Sequence, residues 1–240
     1  SIGMRPLDQD VYVSDSVISN NVVQTEIALS DTLHVATFQH SAITGNRCSG
    51  IAMANSDMEH GVISSNACLE LKGAGNGNIE VGMLRRSVIA DNTLRYFSPD
   101  VNLGVMVLGR WDGTSVRQPC EQVAVVGNVV CGRDNRVSYS ISGAAGSISF
   151  GGDYSSQLAV GGGSTVSQDL AVSLRANIAN SLITGNVFLN GVLVSGFDPN
   201  ETNTNGVTQT SRVLTTNNFL GDHESPAGVR GNPSSVIFGD

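Results

Sequence analysis

One eight-residue phrase recurs seven times along this 240-residue chain. It reads SVISNNVV at 16–23, SAITGNRC at 41–48, GVISSNAC at 61–68 and SVIADNTL at 87–94. It returns as VAVVGNVV at 123–130, SLITGNVF at 181–188 and RVLTTNNF at 212–219. Each copy carries Ile, Val or Leu, two small or polar residues, Asn, any residue, then an apolar residue. The Asn positions are Asn21, Asn46, Asn66, Asn92, Asn128, Asn186 and Asn217, at intervals of 25, 20, 26, 36, 58 and 31 residues. Self-similarity at such periods marks stacked structural units rather than a single globular core.

The units are not helical, because few segments place apolar residues at i, i+3, i+4 and i+7. The apolar runs are short, β-branched and broken by Gly, Asn or Ser, which reads as strands of four to six residues. Short strands recurring once per unit, with insertions of varying length, predict an all-β solenoid of parallel strands in which each coil lies on the last. Equivalent residues then stack at the inter-strand distance, about 4.8 Å. Three residues before each Asn stand Ile18, Ile43, Ile63, Ile89, Val125, Ile183 and Leu214. Two residues after it stand Val23, Cys48, Cys68, Leu94, Val130, Phe188 and Phe219. Both columns are apolar and are predicted to face inward. The Asn is assigned two tasks: to take the left-handed conformation at a sharp bend, and to bond through its amide to the Asn of the next coil. The longest gap, between Asn128 and Asn186, holds about two further coils or a protruding hairpin in the Gly-rich segment 141–167. The expectation is eight or nine coils, with insertions looped out.

Composition agrees with this reading and excludes others. Gly is abundant at 28 residues and aromatics make up 5%, which favours short strands and tight turns over long helices. A formal net charge of −8 gives no electrostatic reason to seek nucleic acid or an anionic membrane surface. No apolar run approaches the roughly 20 residues of a membrane-spanning helix. The four cysteines, Cys48, Cys68, Cys120 and Cys131, match no zinc or redox spacing. Cys48 and Cys68 occupy the same position in consecutive units. That placement permits a disulfide; two stacked free thiols, packed as small hydrophobes, are the other reading.

The repeated Val-Ile-x-x-Asn phrase, the variable insertions and the Asn turn resemble the right-handed parallel β-helix superfamily. It includes pectate-lyase-like enzymes and the tailspikes and tail appendages of bacteriophages. The resemblance covers residues 10–220. SPAGVRGNPSSVIF at 225–238 is similar to a phrase common near the ends of phage tail proteins; Ser225, Pro226, Gly228, Val229, Pro233 and Ser235 fit it. Arg230 and Gly231 depart from that pattern, and Ala227 replaces its acidic residue. The resemblance implies a virion or extracellular protein, a homotrimer of side-by-side β-helices, and contact with other virion proteins. The domain reading is a lead-in at 1–10, the parallel β-helix at 11–220 and a tail or assembly segment at 221–240. Residues 1–10 look too short to cap the first coil, so a preceding domain or partner is expected there.

A β-helix that acts on polysaccharide carries its chemistry on outward faces or in inserted loops. Hydrolysis needs two carboxylates about 5–9 Å apart. SDMEH at 56–60 places Asp57 and Glu59 at alternate positions, on one side of an extended segment and about 6–7 Å apart; they are the candidate catalytic pair. The loop GRWDGTSVRQPCEQ at 109–122 offers Arg110, Trp111, Asp112 and Arg117, and CGRDNR at 131–136 adds Arg133, Asp134 and Arg136. An aromatic platform flanked by charge-assisted donors and acceptors suits sugar hydroxyls, so these seven are the candidate substrate-binding residues. GDHES at 221–225 is read as a solvated turn, and no metal site or cofactor is expected. Three readings stay open: a tailspike domain that binds host cell-surface polysaccharide and cleaves it or does not; a secreted β-helix lyase or hydrolase; and a purely structural shaft.

Overall fold

The computed structural model describes residues 2–3, 11–29, 36–69, 79–95, 106–108, 120–131, 148–150, 172–174, 178–189, 196–197, 210–217, 219–220 and 235–238. Among these, every regular element is a β-strand and none is a helix. Among the described residues all strand pairings but one are parallel, and each parallel pairing joins a repeat to a neighbouring one.

The first half of the phrase forms short strands that pair in chain order. Val17–Ser19, Ala42–Thr44, Val62–Ser64, Val88–Ala90, Ala124–Val126 and the end of Ile178–Thr184 lie side by side. Their register runs Ile18, Ile43, Ile63, Ile89, Val125, Ile183. Ile63, Ile89, Val125 and Ile183 are fully buried, and Ile43 nearly so. The second half makes a separate six-stranded sheet from Arg47–Cys48, Ala67–Leu69, Thr93–Arg95, Val129–Cys131, Val187–Leu189 and Phe219–Leu220. Here Cys48, Cys68 and Leu94 are buried in register. Through the first six copies both apolar columns face inward wherever their burial is described, with Ile18 and Val23 half-buried against the core at the first repeat; Leu214 of the last copy is half-buried and pairs with the outward Leu182 instead.

Before each of the first four phrases runs a longer strand. Val11–Ser14, Ala36–Gln39, Ile51–Glu59 and Ile79–Arg85 pair successively. Ile51–Glu59 spans two columns: its start pairs with Ile27–Ala28 and its end with Ala36–Gln39. The register shifts between Val81 and Met83 as the backbone turns the corner, as extra residues in one strand of a pair do. Burial alternates as period-2 geometry requires: Met53, Ser56 and Met58 inside, Asp57 and Glu59 half-exposed. Within the long gap, Ile148–Phe150 pairs with Met106–Leu108, and Val172–Leu174 pairs with Ile148–Phe150. The Ile-Ser-Phe run of the Gly-rich segment is therefore a parallel strand.

Two expectations need correction. The first concerns which residue takes the bend. The left-handed residue is the one before the repeated Asn in the first six copies, Asn20, Gly45, Ser65, Asp91, Gly127 and Gly185, and Asn217 in the last, with φ between 52° and 68°. Glycine at two of these places lets an exposed side-chain tip of the neighbouring repeat come close. A Cβ on Gly45 would lie 2.5 Å from Asn20 Oδ1, and one on Gly127 the same distance from Asp91 Oδ1. The second concerns the last copy, which is one residue out of the predicted frame. Asn217 occupies the left-handed place of Gly185, Thr215 rather than Leu214 pairs with Ile183, and Leu220 rather than Phe219 pairs with Phe188.

The repeated Asn is buried and performs the second task assigned to it. Asn21 Nδ2 donates to Asn46 Oδ1 at 3.0 Å, Asn46 to Asn66 at 3.0 Å, and Asn66 to Asn92 at 3.0 Å. Asn92 donates to Asn128, and Asn128 to Asn186, both at 2.9 Å. Each Oδ1 also accepts the backbone N–H of the preceding Asn at 3.0 Å. The second amide hydrogen reaches a backbone carbonyl of the preceding repeat, as from Asn92 to Ile63 at 3.0 Å. An amide has two donors and one oxygen with two lone pairs; in Asn46, Asn66, Asn92 and Asn128 all four are used. That full satisfaction is what makes a polar column tolerable inside the protein.

Candidate functional site

Each repeat has another bend, six residues before the buried Asn. It is formed by Asp15, His40, His60, Arg86, Gln122 and Asn180, with φ of 52°, 49°, 53°, 47°, 55° and 50°. At the bend beside the buried Asn, the left-handed residues are mostly Gly, Asn and Asp, which tolerate that conformation. Here they include His, His, Arg and Gln. A left-handed conformation costs a residue with a Cβ roughly 1–2 kcal/mol, so these side chains are kept against the backbone's preference. Residues held in such conformations concentrate at functional sites.

The parallel register sets these side chains in a row, one repeat apart. The His40 and His60 rings stack with centroids 5.2 Å apart and planes 21° from parallel. Arg86 Nη1 donates to His60 Nε2 at 3.4 Å, which requires the tautomer with its proton on Nδ1. The same Nη1 lies 3.7 Å from Glu59 Oε1, and Arg86 Nε donates to Gln122 Oε1 at 3.2 Å. Gln39 Nε2 donates to Glu59 Oε2 at 3.3 Å, and Asn180 Nδ2 to Glu121 Oε1 at 3.3 Å. Arg85 sits in register between Glu59 and Glu121, with its Nε buried and without a hydrogen-bond partner. The Arg86 side chain is 57% exposed and His60 41%, so the row presents donors, acceptors and an aromatic face to solvent.

Asp57 and Glu59 lie on the outward side of one strand, with Met58 buried between them. Glu59 is engaged by Gln39 and Arg86, and so belongs to the row. Arg110, Trp111, Asp112, Arg117, Arg133, Asp134 and Arg136 lie outside the described residues, as does 221–225. No group of three or more metal-ligating side chains occurs among the described residues. The sequence reading singled out Asp57 and Glu59 in the segment that ends at His60, but missed His40, Arg86 and Gln122. Their signal is the position six residues before each buried Asn, where polar side chains recur in six successive repeats.

Cys48 and Cys68 are register partners with sulfurs 3.7 Å apart, and both are free thiols. This answers the open pairing in favour of stacked thiols. The hydrogen bond shared with Cys48, in which Cys68 keeps its proton, and then burial push the Cys68 thiol well above its ordinary value. Cys120 is pushed up to about 12, chiefly by burial, from an ordinary value of 9.0. Between those two values an unfolded chain loses the Cys120 proton while the folded chain keeps it. Stability is therefore expected to fall as pH rises above 9, by up to about 1.4 kcal/mol per pH unit from this group. Urea midpoints at pH 8 and pH 10 test this: the drop should be smaller in Cys120→Ala.

No protein-family model and no curated protein matches this chain.

Proposed function

We propose that the chain is a right-handed parallel β-helix domain of a virion tailspike or tail appendage, and that its polar row binds host cell-surface polysaccharide. The observation that carries this reading is the exposed row running through His40, Glu59, His60, Arg86 and Gln122. Its groups recur about every 4.8 Å along the stack, a spacing suited to a ligand that is itself a repeating chain. Charged and amide side chains form the strong hydrogen bonds that hydroxyl-rich ligands accept and donate. In this proposal the helix spans 11–220, works outside the host cell as part of the virion, and associates as a homotrimer with other virion proteins.

A second reading, hydrolysis of the same glycan, draws on Asp57 and Glu59 sharing one face. Two residues along an extended strand lie about 6–7 Å apart, at the lower end of the separation found in inverting glycosidases. The contacts of Glu59 with Arg86 and Gln39 favour binding over catalysis, because they occupy the oxygens a catalytic carboxylate must present.

The test is a titration of purified host surface polysaccharides against the full chain, followed by reducing-end release. Arg86→Ala and His60→Ala are expected to weaken binding about tenfold or more, as the loss of a charge-assisted contact does. Unchanged affinity in both variants sinks the row as the binding site. Light scattering should give about 75 kDa, three times 25.0 kDa; a monomer at every concentration sinks self-trimerisation.

A further inference from the structure

The inward column that follows the repeated Asn carries Val, Leu and Phe in most repeats, but Cys48 and Cys68 in two consecutive ones. Among the described pairings this is where cysteine meets cysteine. Cys120 pairs with Ile178, and Cys131 lies in register between Arg95 and Leu189. Packing alone does not ask for sulfur at both places, because the same column is filled by Leu94 one repeat later.

The geometry suits a reaction between the two. Register partners in parallel strands have Cα atoms about 4.8 Å apart, inside the 4.4–6.8 Å that a disulfide spans. The sulfurs are already 3.7 Å apart. Their surroundings are unequal. Cys48 is 3% exposed and Cys68 0%. The hydrogen bond from Cys68, opposed by burial and helped by a backbone hydrogen bond from Gly50, lowers the Cys48 thiol, while Cys68 keeps its proton. Cys48 is therefore the sulfur set to attack, and Cys68 the one set to resolve.

We propose that Cys48 and Cys68 form a reversible oxidation site, at which a small peroxide converts two stacked thiols into a disulfide joining consecutive repeats. In the first step the Cys48 thiolate attacks one peroxide oxygen. An S–O bond forms, the O–O bond breaks, and the departing hydroxide takes up the proton that Cys48 released, leaving as water. In the second step Cys68 sulfur attacks Cys48 sulfur. The S–S bond forms, the S–O bond breaks, and the second hydroxide leaves as water with the Cys68 proton. The two sulfurs give up two electrons and the peroxide accepts them. The product carries no charge, as a buried apolar site requires. Cβ atoms of parallel register partners, at about the same 4.8 Å spacing, lie just beyond the roughly 3.5–4.5 Å that a relaxed disulfide prefers, so the bond is strained and easily reduced. It closes a loop of 20 residues that contains Glu59 and His60 of the polar row, and stands whether or not that row binds glycan.

The experiment treats the reduced full chain with hydrogen peroxide, removes the excess, then unfolds, alkylates and digests it with trypsin. No Lys or Arg lies between Cys48 and Lys72, so both thiols fall in the peptide 48–72. That peptide is expected unalkylated and lighter by two hydrogens, about 2 Da, with both thiols restored by dithiothreitol. Cys120, fully buried beside Ile178, is expected to stay alkylatable at the same dose. Cys68→Ser removes the resolving thiol, so Cys48 should proceed to a sulfinic acid that dithiothreitol does not reverse. Cys48→Ser should leave Cys68 alkylatable. Two alkylated thiols in the treated wild-type chain overturn the proposal, as do a bridge found only between chains and equal loss of Cys120.

Discussion

Asn92→Ala is expected to cost about 3–5 kcal/mol of folding stability, read as a lowered urea midpoint with an unchanged slope. Asn92 is fully buried at the middle of the ladder. Its oxygen accepts from Asn66 N and Nδ2, and its amide donates to Asn128 Oδ1 and Ile63 O. Alanine leaves the Asn66 donors and the Ile63 carbonyl buried without their partner, each at about 1–3 kcal/mol. Asn92→Asp separates the contributions. It keeps the acceptor for Asn66 but loses both donors and brings a charge among buried groups, so it should destabilise at neutral pH and recover partly in acid. Asn21→Ala, at the half-exposed end of the ladder, should cost about 1 kcal/mol. Equal losses at Asn21 and Asn92 would contradict the ladder as the source of the effect.

Ile89→Ala is expected to lower stability by a further amount of similar size, about 2–5 kcal/mol. Ile89 is fully buried, with Ile63 on one side and Val125 on the other in the same register. The repeats above and below are held by their own backbone bonds, so the space left by the side chain cannot easily collapse. Ile89→Val removes one methylene and should cost about 0.5–1.5 kcal/mol. The outward Val88 on the same strand is 37% exposed, and Val88→Ala should change the urea midpoint little. A cost at Val88 matching that at Ile89 would refute the inward assignment of the column.

The bends lead to a different kind of reasoning. One is built for the backbone, from Gly, Asn, Asp and Ser. The other sets His40, His60, Arg86 and Gln122 in the same conformation at an energetic cost. That contrast between two bends of one repeat is the strongest reason to look for ligand on the second. It appears only when the left-handed residues are placed, because the sequence shows polar residues at both.

Much of this architecture was legible in the residues. An in-register parallel stack puts like beside like, so the Ile column and the buried Asn column could be read by aligning seven phrases. The free energy of each such column depends on identity at a fixed spacing, which a linear chain displays directly. Three matters were settled only by tertiary pairing. The last copy offers two consecutive asparagines, Asn217 and Asn218, and the bonds to Ile178–Thr184 decide that Asn217 takes the bend. Arg85 lies between Glu59 and Glu121 although it is 26 and 36 residues from them, because register rather than sequence separation makes them neighbours. The antiparallel strand Ser235–Phe238 has no counterpart among the repeats, so nothing in their periodicity announces it. Repetition is a property of the sequence; where a repeat begins and which side chains its bends bring together are properties of the hydrogen-bonded stack.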